Sequence, residues 1–543
     1  MKRREFLGTG AAFAFAAQSA SDQSDATQRD ATQHWIAVAE SLKPKLRETV
    51  RKPVSLVRPV ADGARFLKWR METQGAASAG LASRTFRHGD SFILDFGGHI
   101  TGHLAFSLSG EGSAVDSPVR LKLTFGEVPN DVAAPLDPYT GTLSRAWLPD
   151  ETINVDFLPQ RVRLPRRYAF RYVKVEVIDT APNYAGRFAD FEAAACTSAG
   201  DRPPALAPGV PALLRRIDEV SLDTLRDCMQ TVFEDGPRRD RRLWVGDLRL
   251  QALTNYASFR NFDLVKRCLY LFAGLPREDG LVAACVYDEP KPLCGRQYIM
   301  DYAALYAAVV LDYVRATKDV AVARDLWPVV RRQMEILGQF INAEGLFADP
   351  GNWWLFIDWN DELDRIASMQ GVLLYSYRQA LEVAKLAGAE REAAAYPDRI
   401  RRMTAAARSA FYDASRGLFV SGPKKQISWA SQAWMIHSGV ATKQEGSAAL
   451  RAVAGVPDAI RPVTPYLYHY VVDAMLACDM NQEARALVES YWGGMVQAGA
   501  DTFWEVYQPS DPDLSPYKSL LVNSYCHAWS CTPAWFLRAR GLV

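Results

Sequence analysis

The stretch FEDGPRRDRRLWVGDLRLQ, Phe233 to Gln251, sets Glu234, Asp235, Asp240 and Asp247 among five arginines, with one tryptophan and no lysine. Carboxyl groups at this density can donate and accept protons, and arginines can hold anions and hydroxyls. Gly236-Pro237 ends the preceding helix, because the residue before a proline avoids helical angles. Asp247 stands at the N-cap or first turn of the next helix. The charges therefore sit on an inter-helix loop and not along a solvated helix face. For the stretch alone two readings stay open: carboxylates bound by arginines for structure, or an acid–base site.

Three other loops carry related chemistry. GNWWLFIDWNDELD (351–364) joins three tryptophans, Trp359 among them, to Asp358, Asp361 and Glu362. GADTFWEVYQPSD (499–511) brings Trp504 and Glu505 together, and NSYCHAWSCTPAWF (523–536) offers His527 and Trp529. Each has a plain alternative: core tryptophans, a surface acid, a satisfied core histidine. All precede helices, so a closed ring of helices would gather them at one mouth. Carboxyls, arginines and aromatic rings converging there suit sugar chemistry. Rings stack on apolar pyranose faces, charged groups bind hydroxyls, and two carboxyls act as acid and base at the glycosidic carbon.

The elements that must position these loops fall into two halves. From about residue 50 to 200, SFILDFGGHITGHLAFSLSG, VRLKLTFGEV and RYVKVEVID alternate apolar and polar residues and break at Gly, Pro and Asp, which predicts a β-sandwich. A Pro-rich seam, DRPPALAPGVP (201–211), ends that half. Beyond it the period becomes helical, with about twelve helical stretches, the last placed at 520–540. YAALYAAVVLDYV and GVLLYSYRQALEVA are apolar on most of their circumference, as helices inside a second layer would be. An inner ring wrapped by an outer ring, a double α-toroid, is the economical architecture; a helical solenoid is the alternative.

Composition sets outer limits. The 543 residues carry a formal net charge of +1, so nothing points to nucleic acid or an anionic membrane surface. MKRREFLGTGAAFAFAAQSA has paired Arg3 and Arg4 before a short apolar run, like a twin-arginine export signal, too short to span a bilayer. The expected layout is a signal at 1–20, a flexible linker at 21–48, a β-sandwich at 49–200 and a helical domain at 207–543. The protein is expected to be periplasmic or secreted, with no membrane anchor. Eight scattered cysteines show no metal-binding spacing, so no metal, cofactor or disulfide framework is expected.

The order β-sandwich, DGPRRDRRLWVGD, DW, WE and YCHAWS resembles the bacterial α-L-rhamnosidases of glycoside hydrolase family 78. LDFGG at 94–98 and FGE at 125–127 match that family's sandwich motifs. The resemblance implies an (α/α)6 catalytic domain and a single displacement with inversion on a carbohydrate substrate. It implies Asp240 as general acid and Glu505 as general base. Asp235, Arg239, Trp244, Asp247, Trp359, Trp504 and His527 would contact the sugar. The family's cysteine is Gly236 here, which is taken as neutral. Asp240 stands where many members have glutamate, which leaves Asp247 as an alternative acid. GRQYIMDYA (295–303) keeps Asp301, expected at the sugar, without the tryptophan that often precedes it. The chain ends at AWFLRARGLV, where rhamnosidases usually continue into another β-sandwich. Two further readings are carried: a uronyl hydrolase or polysaccharide lyase on the same toroid, using Tyr466, Tyr468 and His469, or a carbohydrate-binding relative without catalysis.

Overall fold

A computed structural model describes residues 30–113 and 115–543. The twin-arginine-type leader lies outside them. Part of the expected linker does not: residues 30–41 form a helix. Its Trp35 indole N–H donates to Asp325 at 3.1 Å, and Arg267 donates to the Ala39 carbonyl at 2.6 Å. The apolar Trp35 and Ala39 face the helical domain, and burying them offsets the chain entropy that polar composition alone would leave unopposed.

The N-terminal half is an antiparallel network of nine strands that folds over along one long strand, Ser91–Gly112. Its first part pairs with Ser55–Ala61 and Tyr168–Asp179, and its second with Gln160–Arg163 and Tyr184–Thr197. Alternating residues such as Phe92, Leu94, Leu104, Phe106 and Leu108 fill the core between the folded faces. The pairing slips between Asp95 and Ile100, where Gly97 adopts φ 77°. A bulge of this kind re-aims side chains. Here it turns His99 out of the sheet and into the helical half.

Among the described residues twelve helices follow from Ala212 onward. Val245–Ala257, Met300–Thr317, Ile366–Ala387, Trp429–His437, Pro465–Ala477 and Pro533–Ala539 form the inner ring. The alternating helices, such as Phe262–Gly274 and Val320–Leu337, pack outside it with one charged face in water. Inner helices are buried nearly all round, as their apolar circumference requires. Their N-termini turn toward one mouth. The expected helix at 520–540 is mostly absent: only Pro533–Ala539 is helical, preceded by single turns at Leu520–Val522 and Ala528–Ser530. The reason lies in the amides of Ser524, Tyr525, His527 and Ala528. They donate to Glu505, Glu127, Phe503 and Asp235 instead of to carbonyls one turn back.

Candidate active site

The loop after helix Ala212–Cys228 is closed at its base by Asp235. The Asp235 amide donates to the Arg242 carbonyl at 3.0 Å, and the Arg242 amide donates back to Asp235 Oδ1 at 3.0 Å. At its tip Asp240 and Arg241 take consecutive left-handed angles, φ 34° and 54°. Such angles cost roughly 1–2 kcal/mol per non-glycine residue and persist only where surrounding contacts dictate them. Arg239 supplies the main contact. It donates to the Val522 carbonyl at 2.9 Å and to Glu505, lies 3.5 Å from Asp240, and stacks over Tyr517 at 4.4 Å. Gly236 is not a neutral replacement. A Cβ there would stand 2.5 Å from Ser524 Oγ and 3.0 Å from the Arg239 carbonyl, so this loop packs too closely for a cysteine without a shift in both segments.

Above the inner-ring N-termini this loop borders a cavity of about 250 Å³. Asp235, Arg239, Asp240, Trp244, Asp247, Trp359, Glu505 and His527 all line it, so eight of the ten expected site residues meet at one place. Glu505 accepts from Arg239, from the Tyr517 hydroxyl at 2.5 Å and from the Ser524 amide at 3.2 Å. Every one of these partners is a donor. The side chain of Asp240 is 17 % exposed, at the rim, against 2 % for Glu505 and 3 % for Asp247 deeper in.

Burial drives the remaining acids toward their protonated forms. It pushes Asp247 up to about 8, with Glu505 and Asp240 adding to the shift against the Tyr302 hydroxyl, which donates at 3.2 Å. Asp235 is raised well above the carboxylate range by burial and then by Asp240 and Asp247. His527 lies 3.9 Å from both Asp235 and Asp247, and burial, with Arg239, lowers it far enough to keep the ring neutral. Among the described residues, Asp247 Oδ1 and the indole N–H groups of Trp244 and Trp359 have no hydrogen-bond partner. These are the groups a bound hydroxylated ligand would satisfy.

Two expected residues lie elsewhere. Asp301 accepts the amides of Phe356 at 2.9 Å and Ile357 at 3.2 Å, so it shapes the loop bearing Trp359 without lining the cavity. Trp504 is buried against the sheet domain, stacked on Phe66 at 5.1 Å, and lines no part of the cavity. The residues considered for a lyase are also displaced: His469 stacks on Phe536 and Tyr468 on Tyr491, while Tyr466 lies behind Tyr302 and Trp529. Sequence reasoning missed Tyr517, Tyr302, Trp354 and Phe356, and also Leu143 and Trp147 from a loop of the sheet domain. The Pro-rich segment between Glu127 and Asp150, which carries Tyr139 and Trp147, was the available signal for that wall. Among the described residues no group of His, Cys, Asp or Glu side chains is arranged to hold a metal ion, and no helix is long and apolar enough to cross a membrane.

A double ring of helices with carboxyls and indoles at the inner N-termini is the build of a six-hairpin glycosidase. The family model for the bacterial alpha-L-rhamnosidase 6 hairpin glycosidase domain matches residues 211–540, and that for the glycosyl hydrolase family 78 alpha-rhamnosidase N-terminal domain matches 53–195. A rhamnosidase from Klebsiella oxytoca, solved with rhamnose bound, is 44% identical over 94% of this chain and 99% of its own, with a TM-score of 0.91. The family 78 rhamnosidase of Bacillus sp. GL1 shares the fold at 21% identity, over 83% of this chain and 46% of its own, with a TM-score of 0.72. An α-L-rhamnosidase from Streptomyces avermitilis does so at 17% identity, over 91% and 44%, with a TM-score of 0.62. Among curated proteins nothing matches. The chain belongs to the bacterial α-L-rhamnosidases of glycoside hydrolase family 78 and is a glycoside hydrolase.

Proposed function

We propose that the protein is an exported hydrolase that releases terminal α-L-rhamnosyl residues by a single displacement with inversion. The observation that carries this reading is that Asp240 and Glu505 border one cavity and that the guanidinium of Arg239 contacts both. Inversion needs two such carboxyls roughly 6.5–9.5 Å apart, flanking the sugar from opposite faces, so that a water fits beside the base. The glycosidic oxygen of a bound terminal sugar faces the mouth, so the acid belongs at the rim, where Asp240 is. Asp240 gives its proton to the leaving oxygen. Glu505 takes a proton from the water that attacks the anomeric carbon, and β-L-rhamnose leaves. Rhamnose in the similar Klebsiella oxytoca enzyme supports the choice of sugar. The decisive test follows nitrophenyl α-L-rhamnopyranoside hydrolysis by proton NMR. β-Rhamnose should appear first and then mutarotate, whereas α-rhamnose as first product would overturn inversion. The paired Arg3 and Arg4 support export; replacing both with Lys should leave the protein in the cytoplasm of the producing cell, and unchanged export would remove that part of the reading.

One observation favours a second assignment of the acid. Asp247 carries a proton up to about pH 8 and has a free oxygen. If its neutral form only binds a sugar hydroxyl, Asp247→Asn keeps that neutral group. Wild-type kcat/KM should then fall as pH rises through about 8, and the variant should lose this limb while retaining activity on an alkyl rhamnoside. Loss of about 10²–10⁴ in rate on the alkyl rhamnoside at all pH values would instead make Asp247 the acid.

A further inference from the structure

A second cavity, about 550 Å³, lies on the far side of Asp240. It shares Trp147 and Asp240 with the active-site cavity and is otherwise lined by His103, Arg167, Glu234 and Arg241, among others. The candidate acid therefore stands on the partition between two spaces, where a glycosidic oxygen would lie when one sugar occupies each. We propose that this second cavity receives the sugar to which the rhamnosyl group is bonded, and that Arg241 binds a carboxylate on that sugar. The proposal rests on the hydrolase reading above and names its substrate class: rhamnosides of uronic acids.

Charge pairing around the cavity supports the choice of an anion. Glu234 is engaged by Arg167, with contacts of 2.7 and 2.8 Å. Asp288 is held by Arg267 at 2.5 Å, and Glu289 by Lys43 at 2.8 Å. Asp240 faces Arg239 and Arg242. Among the described residues, Arg241 alone of these cations has no acid within ion-pairing distance, and its Nε is buried without a hydrogen-bond partner. Burial, and next the charge of Arg167, lower its proton affinity to about 10 against the opposing charge of Glu234, which is already paired with Arg167. The left-handed backbone at Asp240 and Arg241 lies where Asp240 borders both cavities and Arg241 borders the second. A planar guanidinium with free donors fits a carboxylate in two-point contact. A neutral sugar would meet the donors but would leave the charge unanswered.

The test compares two substrates that differ only in charge: α-L-rhamnosyl-(1→4)-D-glucuronic acid and its primary uronamide. Wild-type kcat/KM should favour the acid by about tenfold or more, the scale of a charged hydrogen-bonded contact. Added salt should shrink that preference. Arg241→Gln should bring the ratio close to one, and Arg241→Lys should restore part of it. Equal rates for acid and amide in the wild type, or a ratio that Arg241→Gln leaves intact, would overturn the proposal. Turnover of neither disaccharide nor of nitrophenyl α-L-rhamnopyranoside would overturn the hydrolase reading itself, a different result from turnover without preference.

Discussion

Glu505→Gln is expected to lower kcat on nitrophenyl α-L-rhamnopyranoside by about 10²–10⁴, the range a positioned general base supplies. Glutamine keeps the shape, and its amide still meets the Ser524 amide region and Tyr517, but it can no longer take a proton from water. Binding should change less than turnover, so KM is expected to move little beside kcat. Asp240→Asn should behave differently. A nitrophenolate leaves without much protonation, so this variant should keep much of its rate on the activated substrate and lose about 10²–10⁴ on an alkyl rhamnoside. Stopped assays on the two substrates give the contrast directly. If Asp240→Asn loses the same factor on both, Asp240 does not protonate the leaving group.

The second large effect should come from His99, which touches no part of the cavity. Nδ1 lies 2.7 Å from Asp227 of helix Ala212–Cys228, and Nε2 lies 3.0 Å from Glu127. The other oxygen of Glu127 accepts the Tyr525 amide at 2.7 Å, one residue from Ser524, whose amide binds Glu505. Burial works against charge on the ring, but Cys526, Asp227 and Glu127 outweigh it and raise its pKa well above the usual histidine value. His99→Gln removes the cation and leaves two buried carboxylates short of their partner, a change that costs about 3–5 kcal/mol in comparable pairs. A lower melting temperature and a reduced kcat should appear together. The pH dependence carries a sign. The stabilisation is complete below the unfolded value, about 6.5, and is lost as pH rises through the raised folded value. Wild-type stability should therefore decline on the alkaline side, and the His99→Gln profile should be flatter there. Equal slopes in both proteins would mean the ring is neutral when folded.

How much of this was legible in the sequence depended on whether a feature is local. The change from a two-residue to a near-four-residue period separates the two halves because each period reports a face buried along its own element. Asp235, Asp240, Asp247 and Glu505 could be named only through the order of their loops, which resembles the family's; the charged stretch alone left a structural ion-pair reading open. Trp504 and Asp301 belong to the same residue types, Trp504 beside Glu505 and Asp301 in the first turn of helix Met300–Thr317. What excludes them is a partner far away in the chain, Phe66 for one and the amides of Phe356 and Ile357 for the other. Tyr517 could not be found for the same reason: nothing near it marks a phenol that meets Glu505 twelve residues away. LDFGG was visible as a motif, yet its work is a slip in strand pairing that only the paired strands reveal.

The size of the active-site cavity has a consequence for how a polymer would be consumed. A space of about 250 Å³ bordered by Trp244, Tyr302, Phe356 and Trp529 has room for about one sugar. A long polysaccharide therefore counts, to this enzyme, as the number of its rhamnosyl tips and not as its mass. Viscosity should hardly fall while free monosaccharide accumulates, and digestion should stall once the tips are gone. Any partner enzyme that cuts such a chain internally would supply new tips, so the pair should clear the polymer faster than the sum of their separate rates.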